Sequence, residues 1–277
     1  ELVKEKSGGR LDVAYFPDAQ LGSEPANQES LQTGTLELAG LASSLPAVIP
    51  ELNVFDLPYL ITEREQVDKF LASDLYKEVQ KKAEDKGIVI LGLGENGFRH
   101  ITNNVRPINI PADLAGLKIR TPNNPARLAT FKMLNANPTP IPFSELFQAL
   151  QQGVVDGQEN PLAQITGSKL YEVQKYLSLS SHVYTPTYFC ASKAWYDKLP
   201  SDLQQALVDA AMEAGLRGRT EGKELDQKLA EECKANGMVI NEVDVAAFQA
   251  AMKPLWSELA EDIGPEFVDR FIQVVGD

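Results

Sequence analysis

Two arginines stand where a guanidinium could grip an anion. Arg99 lies in Gly97-Phe98-Arg99-His100, and Arg120 in Gly116-Leu117-Lys118-Ile119-Arg120-Thr121-Pro122. Lys118 to Arg120 is predicted as a short strand, which Pro122 ends because proline lacks an amide hydrogen and restricts its predecessor. A guanidinium held on stiff backbone can offer a carboxylate two parallel hydrogen bonds. The competing explanation for both arginines is a structural ion pair, for which 39 acidic residues supply partners.

Other chemistries lack their parts. Gly92-Leu93-Gly94-Glu95-Asn96-Gly97 matches the dinucleotide fingerprint and follows a strand. The fingerprint needs a helix to open at once and receive the pyrophosphate, whereas Phe98-Arg99-His100-Ile101 continues as extended chain. The glycines are read instead as a sharp turn at a domain crossing. His100 and His182 have no cysteine or acidic spacing of a metal site, so both are given surface or structural roles. No G-x-S-x-G elbow serves a Ser-His-Asp hydrolase, and Ser144 is explained as a helix cap. Cys190 and Cys233 fit neither a disulfide scaffold nor a zinc site and read as buried free thiols. No cofactor or metal is expected. Asn160, in Gln158-Glu159-Asn160-Pro161, either offers its amide to a ligand oxygen or forms an Asn-Pro turn. Phe143 is either a pocket wall or core, with core favoured on composition alone.

The chain's 277 residues suffice for two domains with a large buried core, and 43% of them are hydrophobic. No apolar run reaches the roughly 18 residues of a membrane span. A net charge of −13 argues against nucleic acid and anionic membranes as partners. It leaves room for a small anion, because a local pair of arginines overrides the global sign at short range.

The elements that must position these residues alternate along the chain. Strands are predicted at Leu11 to Phe16, Leu36 to Leu41, Ile88 to Leu91, Val154 to Gly157 and Tyr184 to Ser192. Helices are predicted at Pro25 to Gln32, from Thr62 as N-cap with Glu65 three positions on, at Asn124 to Met133 and at Phe143 to Gln152. A helix from Ser201 to about Asn236 would span roughly 50 Å, longer than one small domain needs. Gly215, Gly218 and Gly222 are read as marks of a bend in it. The alternation implies an α/β fold with mostly parallel sheets, two domains with several crossings, and a ligand cleft between them.

A set of ordered segments makes the chain recognisable. They are Leu21-Gly22-Ser23-Glu24, Leu57-Pro58-Tyr59, Asn96-Gly97-Phe98-Arg99, the Gly116–Pro122 segment, Asn137-Pro138-Thr139-Pro140, Phe143-Ser144-Glu145, Val155 to Pro161 and Tyr171 to Lys175. Together they resemble the solute-binding proteins of tripartite ATP-independent periplasmic (TRAP) transporters, of the DctP type. The resemblance implies a periplasmic-binding-protein-like fold: two α/β lobes closing over a ligand, with a long helix crossing both. It divides the chain into residues 1–97 plus 186–225 and residues 98–185 plus 226–277, and implies that a first strand and most of a first helix are missing ahead of Glu1. It casts Arg120 as the main carboxylate partner, Arg99 as a second anion or hydroxyl contact, Asn160 as a further ligand contact and Phe143 as a pocket wall. Glu24 matches an acidic position that reaches ligand hydroxyls in some sialic-acid-binding members. A second acid of those members is replaced here by Ala42, with Ser43 and Ser44 beside it, which argues against sialic acid; Ser43 is taken as a candidate contact.

The expectation is therefore a non-enzymatic periplasmic protein, acting as a monomer. It would capture an organic acid anion (C4-dicarboxylate, sugar acid or related hydroxy acid) and pass it to TRAP membrane subunits. An α/β oxidoreductase or lyase acting on a carboxylate, and a ligand-sensing domain of the same fold, stay open as alternatives.

Overall fold

A computed structural model describes residues 1–276. Its strands are β1 (Leu38–Leu41), β2 (Ile88–Asn103), β3 (Lys118–Thr121), β4 (Asn137–Pro140), β5 (Gly157–Pro161), β6 (Tyr176–Leu179), β7 (Tyr184–Ser192) and β8 (Val239–Glu242). The 16-residue β2 joins two sheets. Its first part, Ile88 to Phe98, pairs with β7, whose other edge holds β1. Its last part, Arg99 to Asn103, pairs with β5 on one side and β6 on the other. Beyond β5 come β3 and β4, and beyond β6 comes β8.

Within the second sheet, β3 runs parallel to β4 and β5, and β6 to β8. The pairings of β2 and of β1 with β7 are antiparallel. Mostly parallel sheets were expected from the alternation, and the sheets are mixed. The reason is topological: a chain that leaves the first sheet on β2 and returns on β7 must come back in the opposite direction.

The glycine run lies inside β2 rather than at its end. Ladder irregularities fall between Ile90 and Gly92 and between Glu95 and Gly97, so the strand bends without stopping. A Cβ at Gly94 would stand 2.6 Å from the Phe189 ring, and Gly97 has φ of 118°. The predicted strand from Leu11 to Phe16 is corrected: it has no ladder partner, and Tyr15 is 85% exposed. Alternating β-formers are realised as a strand only where a neighbour pairs with them. Thr62 does not cap its helix either. The helix begins at Glu65, and Gln66 Oε1 accepts from the amides of Thr62 and Glu63. Nor does Ser144: Pro142 occupies the N-cap of the helix Phe143–Gln151.

The long helix is Ser201–Ala235, 35 residues. Leu207 and Ala211 pack with Val89 and Leu91 of the first sheet, while Cys233 is buried among Leu146, Ile165 and Leu177 of the second lobe. It therefore spans both lobes as expected. Its glycines do not interrupt it. They let it approach β2 closely: a Cβ at Gly215 would lie 2.0 Å from the Leu93 carbonyl oxygen.

Phe55, Phe70 and Phe271 meet edge-on or tilted at 5.4 Å between ring centroids in the first lobe's core. That core also takes Leu255, Leu259, Ile263 and Phe267. The helices Leu255–Ile263 and Pro265–Gly276 thus bury their apolar faces on the first lobe. The division that gave all of residues 226–277 to the second lobe is corrected for this segment. Their i, i+4 apolar stripes required a partner, and local pattern did not say which lobe supplied it. Cys190 and Cys233 are free and buried.

Candidate functional site

Strands β2, β5 and β3 lie side by side and carry Arg99, Glu159 with Asn160, and Arg120. Arg120 is 1% exposed. Its Nε donates to the Ile141 carbonyl oxygen at 2.8 Å, and its Nη1 is buried with no acceptor. Burial lowers the guanidinium pKa to about 10, and Glu159 partly offsets this, so the group remains charged at neutral pH. A buried cation with an unmatched N–H and no direct counter-ion is costly unless something else matches it.

Phe143 opens the helix Phe143–Gln151 and is 36% exposed. Its ring centroid lies 5.8 Å from Arg120 Cζ, close enough for the ring face to attract the cation. Composition favoured a core position for Phe143; the structure sets it at the edge of the Arg120 site instead.

Arg99 is in the opposite state. Its Nε donates to Glu159 Oε2, and its Nη2 to Glu159 Oε1 at 2.8 Å and to Asn160 Oδ1 at 3.0 Å. No described residue accepts from its Nη1. The ion-pair explanation thus accounts for the charge of Arg99, leaving one N–H edge over. Asn160 sits in β5, not in an Asn-Pro turn; its Nδ2 donates to Gln158 Oε1 at 2.5 Å.

Three buried charges at the heart of this site were assigned no role from the sequence, and His182, given a surface or structural role, is buried beside them. Glu159 also accepts from Arg127 Nη1 at 2.8 Å, and His182 Nε2 lies 3.3 Å from its Oε2. Burial alone would push the Glu159 carboxyl up; Arg99 and then Arg127 outweigh it and hold it well below the usual range. Arg127 Nε donates to Asp56 Oδ1 at 2.6 Å, and Arg127 Nη2 to Thr185 Oγ1 at 2.7 Å. Asn124 sets Arg127 in place: it caps the helix Pro125–Met133 by accepting from the Arg127 amide. Glu159 was visible only as the middle letter of Gln-Glu-Asn-Pro. Asp56 and Arg127 are 71 positions apart, and no local pattern links them.

The first lobe carries the other two residues singled out in the sequence, Glu24 and Ser43. Glu24 is the first residue of the helix Glu24–Thr33. Its Oε1 accepts from the Ala42 amide at 2.6 Å and the Ser44 amide at 2.8 Å. Those amides flank Ser43, which is 8% exposed. The charge of Glu24 is felt at Arg120. Among the described residues, no group of His, Cys, Asp and Glu could hold a metal ion, and no helix is long and apolar enough to cross a membrane.

Comparison with known proteins places this arrangement in a family. Residues 1–262 match the profile of the bacterial extracellular solute-binding protein, family 7. The chain is 37% identical over 255 residues to the 2,3-diketo-L-gulonate-binding periplasmic protein YiaO of Escherichia coli, covering 91% of this chain and 77% of that one. It is 33% identical over 274 residues to the C4-dicarboxylate-binding periplasmic protein DctP of Rhodobacter capsulatus, covering 97% and 82%. The crystal structure of a TRAP periplasmic solute-binding protein from a Polaromonas species, bound to D-erythronate, superposes with a TM-score of 0.92 at 36% identity, covering 98% of this chain and 90% of that one. With the profile matched over nearly its whole length and these relatives alongside, the chain belongs to the DctP family of TRAP solute-binding proteins.

Proposed function

We propose that this protein captures an organic acid anion in the cleft between its lobes, with Arg120 as the carboxylate partner, and delivers it to the membrane subunits of a TRAP transporter. The observation that carries this is Arg120 Nη1, buried and without an acceptor. A ligand carboxylate would complete the guanidinium's hydrogen bonds, and each charge-assisted bond contributes roughly 1.5–3 kcal/mol net. Phe143, Asn160 and the spare N–H of Arg99 would line the same side, and Glu24 and Ser43 the other. Ligand affinity would favour the closed arrangement of lobes, a population shift, and the membrane subunits would recognise that shape. We take the lobes to be residues 1–97 plus 186–225 and residues 98–185 plus 226–254, with residues 255–276 assigned to the first because they pack in its core. The named relatives are periplasmic binding proteins for carboxylates, which supports a periplasmic binder over an oxidoreductase or lyase; we propose that it acts as a monomer.

The test is a melting-temperature screen against small organic acids, repeated on Arg120→Ala. Acids that raise the melting temperature of the parent and not of the variant support the proposal. A rise with NAD and none with any acid would favour the enzyme. Neighbouring genes for membrane subunits would separate delivery from sensing.

A further inference from the structure

Asn160 belongs to a buried chain of side-chain hydrogen bonds whose direction is fixed from both ends. At the near end, Arg99 Nη2 donates to Asn160 Oδ1 at 3.0 Å, and a guanidinium has no acceptor to offer instead. At the far end, Gln174, ahead of β6, donates from Nε2 to the Val173 and Asp156 carbonyl oxygens at 3.1 and 3.4 Å, and a carbonyl oxygen cannot donate. Between these ends, Asn160 Nδ2 donates to Gln158 Oε1 at 2.5 Å, Gln158 Nε2 to Thr102 Oγ1 at 3.0 Å, and Thr102 Oγ1 to Gln174 Oε1 at 2.7 Å.

The two ends demand the same order. Arg99 draws the Asn160 oxygen toward itself and so turns Nδ2 toward Gln158. Gln174 directs its N–H groups at the backbone and so turns its oxygen toward Thr102. Thr102 must give that oxygen its single hydroxyl hydrogen and accept from Gln158 with a lone pair. Turning any one amide over sets donor against donor or acceptor against acceptor. None of Asn160, Gln158, Thr102 and Gln174 is more than 4% exposed, so bulk water does not relieve such a mismatch.

The Asn160 amide is left with one group to offer, the second N–H on Nδ2, which has no acceptor among the described residues. Strand pairing puts Asn160 on the sheet face that carries Arg120. Arg120 is the register partner of Gln158, and Asn160 lies two positions further along β5, where the side chain returns to the same face.

We propose that Gln158 and Thr102 are positioning residues for anion binding. Both are fully buried and act through Asn160, holding its amide so that the free N–H, and not the oxygen, meets an acceptor on the ligand. This rests on the reading of Asn160 as a ligand contact beside the Arg120 carboxylate site.

Calorimetry with D-erythronate, D-gluconate and succinate tests it in a double-mutant cycle. Thr102→Val keeps the shape of the side chain and removes the hydroxyl. It should weaken binding about fivefold, the scale of one hydrogen bond. Thr102→Ser, which keeps the hydroxyl, should stay within about twofold of the parent. In an Asn160→Ala background, Thr102→Val should change affinity by less than about twofold, because the group it positions is gone. A general loosening of the sheet would weaken both backgrounds alike; that result overturns the inference, as does a Thr102→Val variant that binds like the parent. If the melting curve shows that Thr102→Val does not fold, Gln158→Met takes its place in the same cycle. If Asn160→Ala binds too weakly to measure, the contrast between Thr102→Val and Thr102→Ser decides. Affinity unchanged in Asn160→Ala overturns the inference and leaves the Arg120 assignment standing. Heat from none of the three acids, or binding unchanged in Arg120→Ala, sinks that assignment and the inference with it.

Discussion

Glu159 holds Arg99 by both edges of its fork, Oε2 facing Nε and Oε1 facing Nη2, with neither side chain more than 2% exposed. The pair joins β5 to the point where β2 passes from one sheet to the other. Removing the acid strips Arg99 of its counter-ion in a dry site and leaves Arg127 with Asp56 alone. Glu159→Gln should therefore lower unfolding free energy by about 3–5 kcal/mol. Urea denaturation reads this directly; a loss below about 1 kcal/mol, the scale of an exposed ion pair, would show that the pair is not what anchors the crossing.

Arg120 predicts the reverse balance. Its side chain makes one hydrogen bond to the protein, through Nε to Ile141, and its buried charge has no direct partner. Arg120→Ala should weaken organic acid binding by at least about tenfold while unfolding free energy does not fall. Arg120→Lys should also weaken binding, because the planar fork is lost. Calorimetry on both variants checks the first half and denaturation the second. Unchanged affinity in Arg120→Ala would remove the carboxylate site from this strand.

These two arginines also show what the sequence could and could not disclose. Both stood out because Gly97 and Pro122 punctuate the chain beside them, and backbone punctuation is local. Their opposite fates depend on Glu159, 60 positions from Arg99, and a contact over that distance leaves no periodic trace. The long helix was legible for the same reason as the short strand at Arg120: its signals, Ser201 at one end and Gly237 at the other, lie in the chain itself. The docking of the helices Leu255–Ile263 and Pro265–Gly276 on the first lobe was not, since an apolar stripe records that a partner exists and not which one. The Leu11 to Phe16 segment erred the other way, with a strand pattern and no neighbour.

Gly215 carries a third prediction. An exposed glycine inside a helix normally costs about 0.5–1 kcal/mol relative to alanine, so Gly→Ala in the middle of Ser201–Ala235 ought to stabilise it. At Gly215 the added methyl would meet the Leu93 carbonyl oxygen at 2.0 Å and Leu93 C at 2.9 Å. Neither is the end of a flexible side chain. Helix and strand must separate, and the hydrogen bond from Arg219 Nη1 to that same oxygen, 2.6 Å, is lost with them. Gly215→Ala should thus cost about 1–3 kcal/mol. A rise in melting temperature would mean that the helix stands off β2.

Acid should weaken the fold through its two histidines, both buried at the strand crossing. Burial, then the neighbouring His182 and Arg99, lower the His100 pKa from 6.5 to about 3. Burial also lowers that of His182, against the pull of Glu159. Between pH 6.5 and about 3 the unfolded chain takes up a proton on His100 that the folded chain refuses. The stability His100 contributes is therefore complete above pH 6.5 and is lost as pH falls toward its folded value. At pH 5 the loss from this one group is on the order of 2 kcal/mol. Its Nδ1 accepts from the Ser181 amide at 3.2 Å, an interaction that a glutamine oxygen can take over. His100→Gln should consequently flatten the fall in unfolding free energy between pH 7.5 and pH 5, measured in urea, by about that amount. Parallel curves for parent and variant across this range would mean that His100 exchanges its proton as freely in the folded protein as in the unfolded chain.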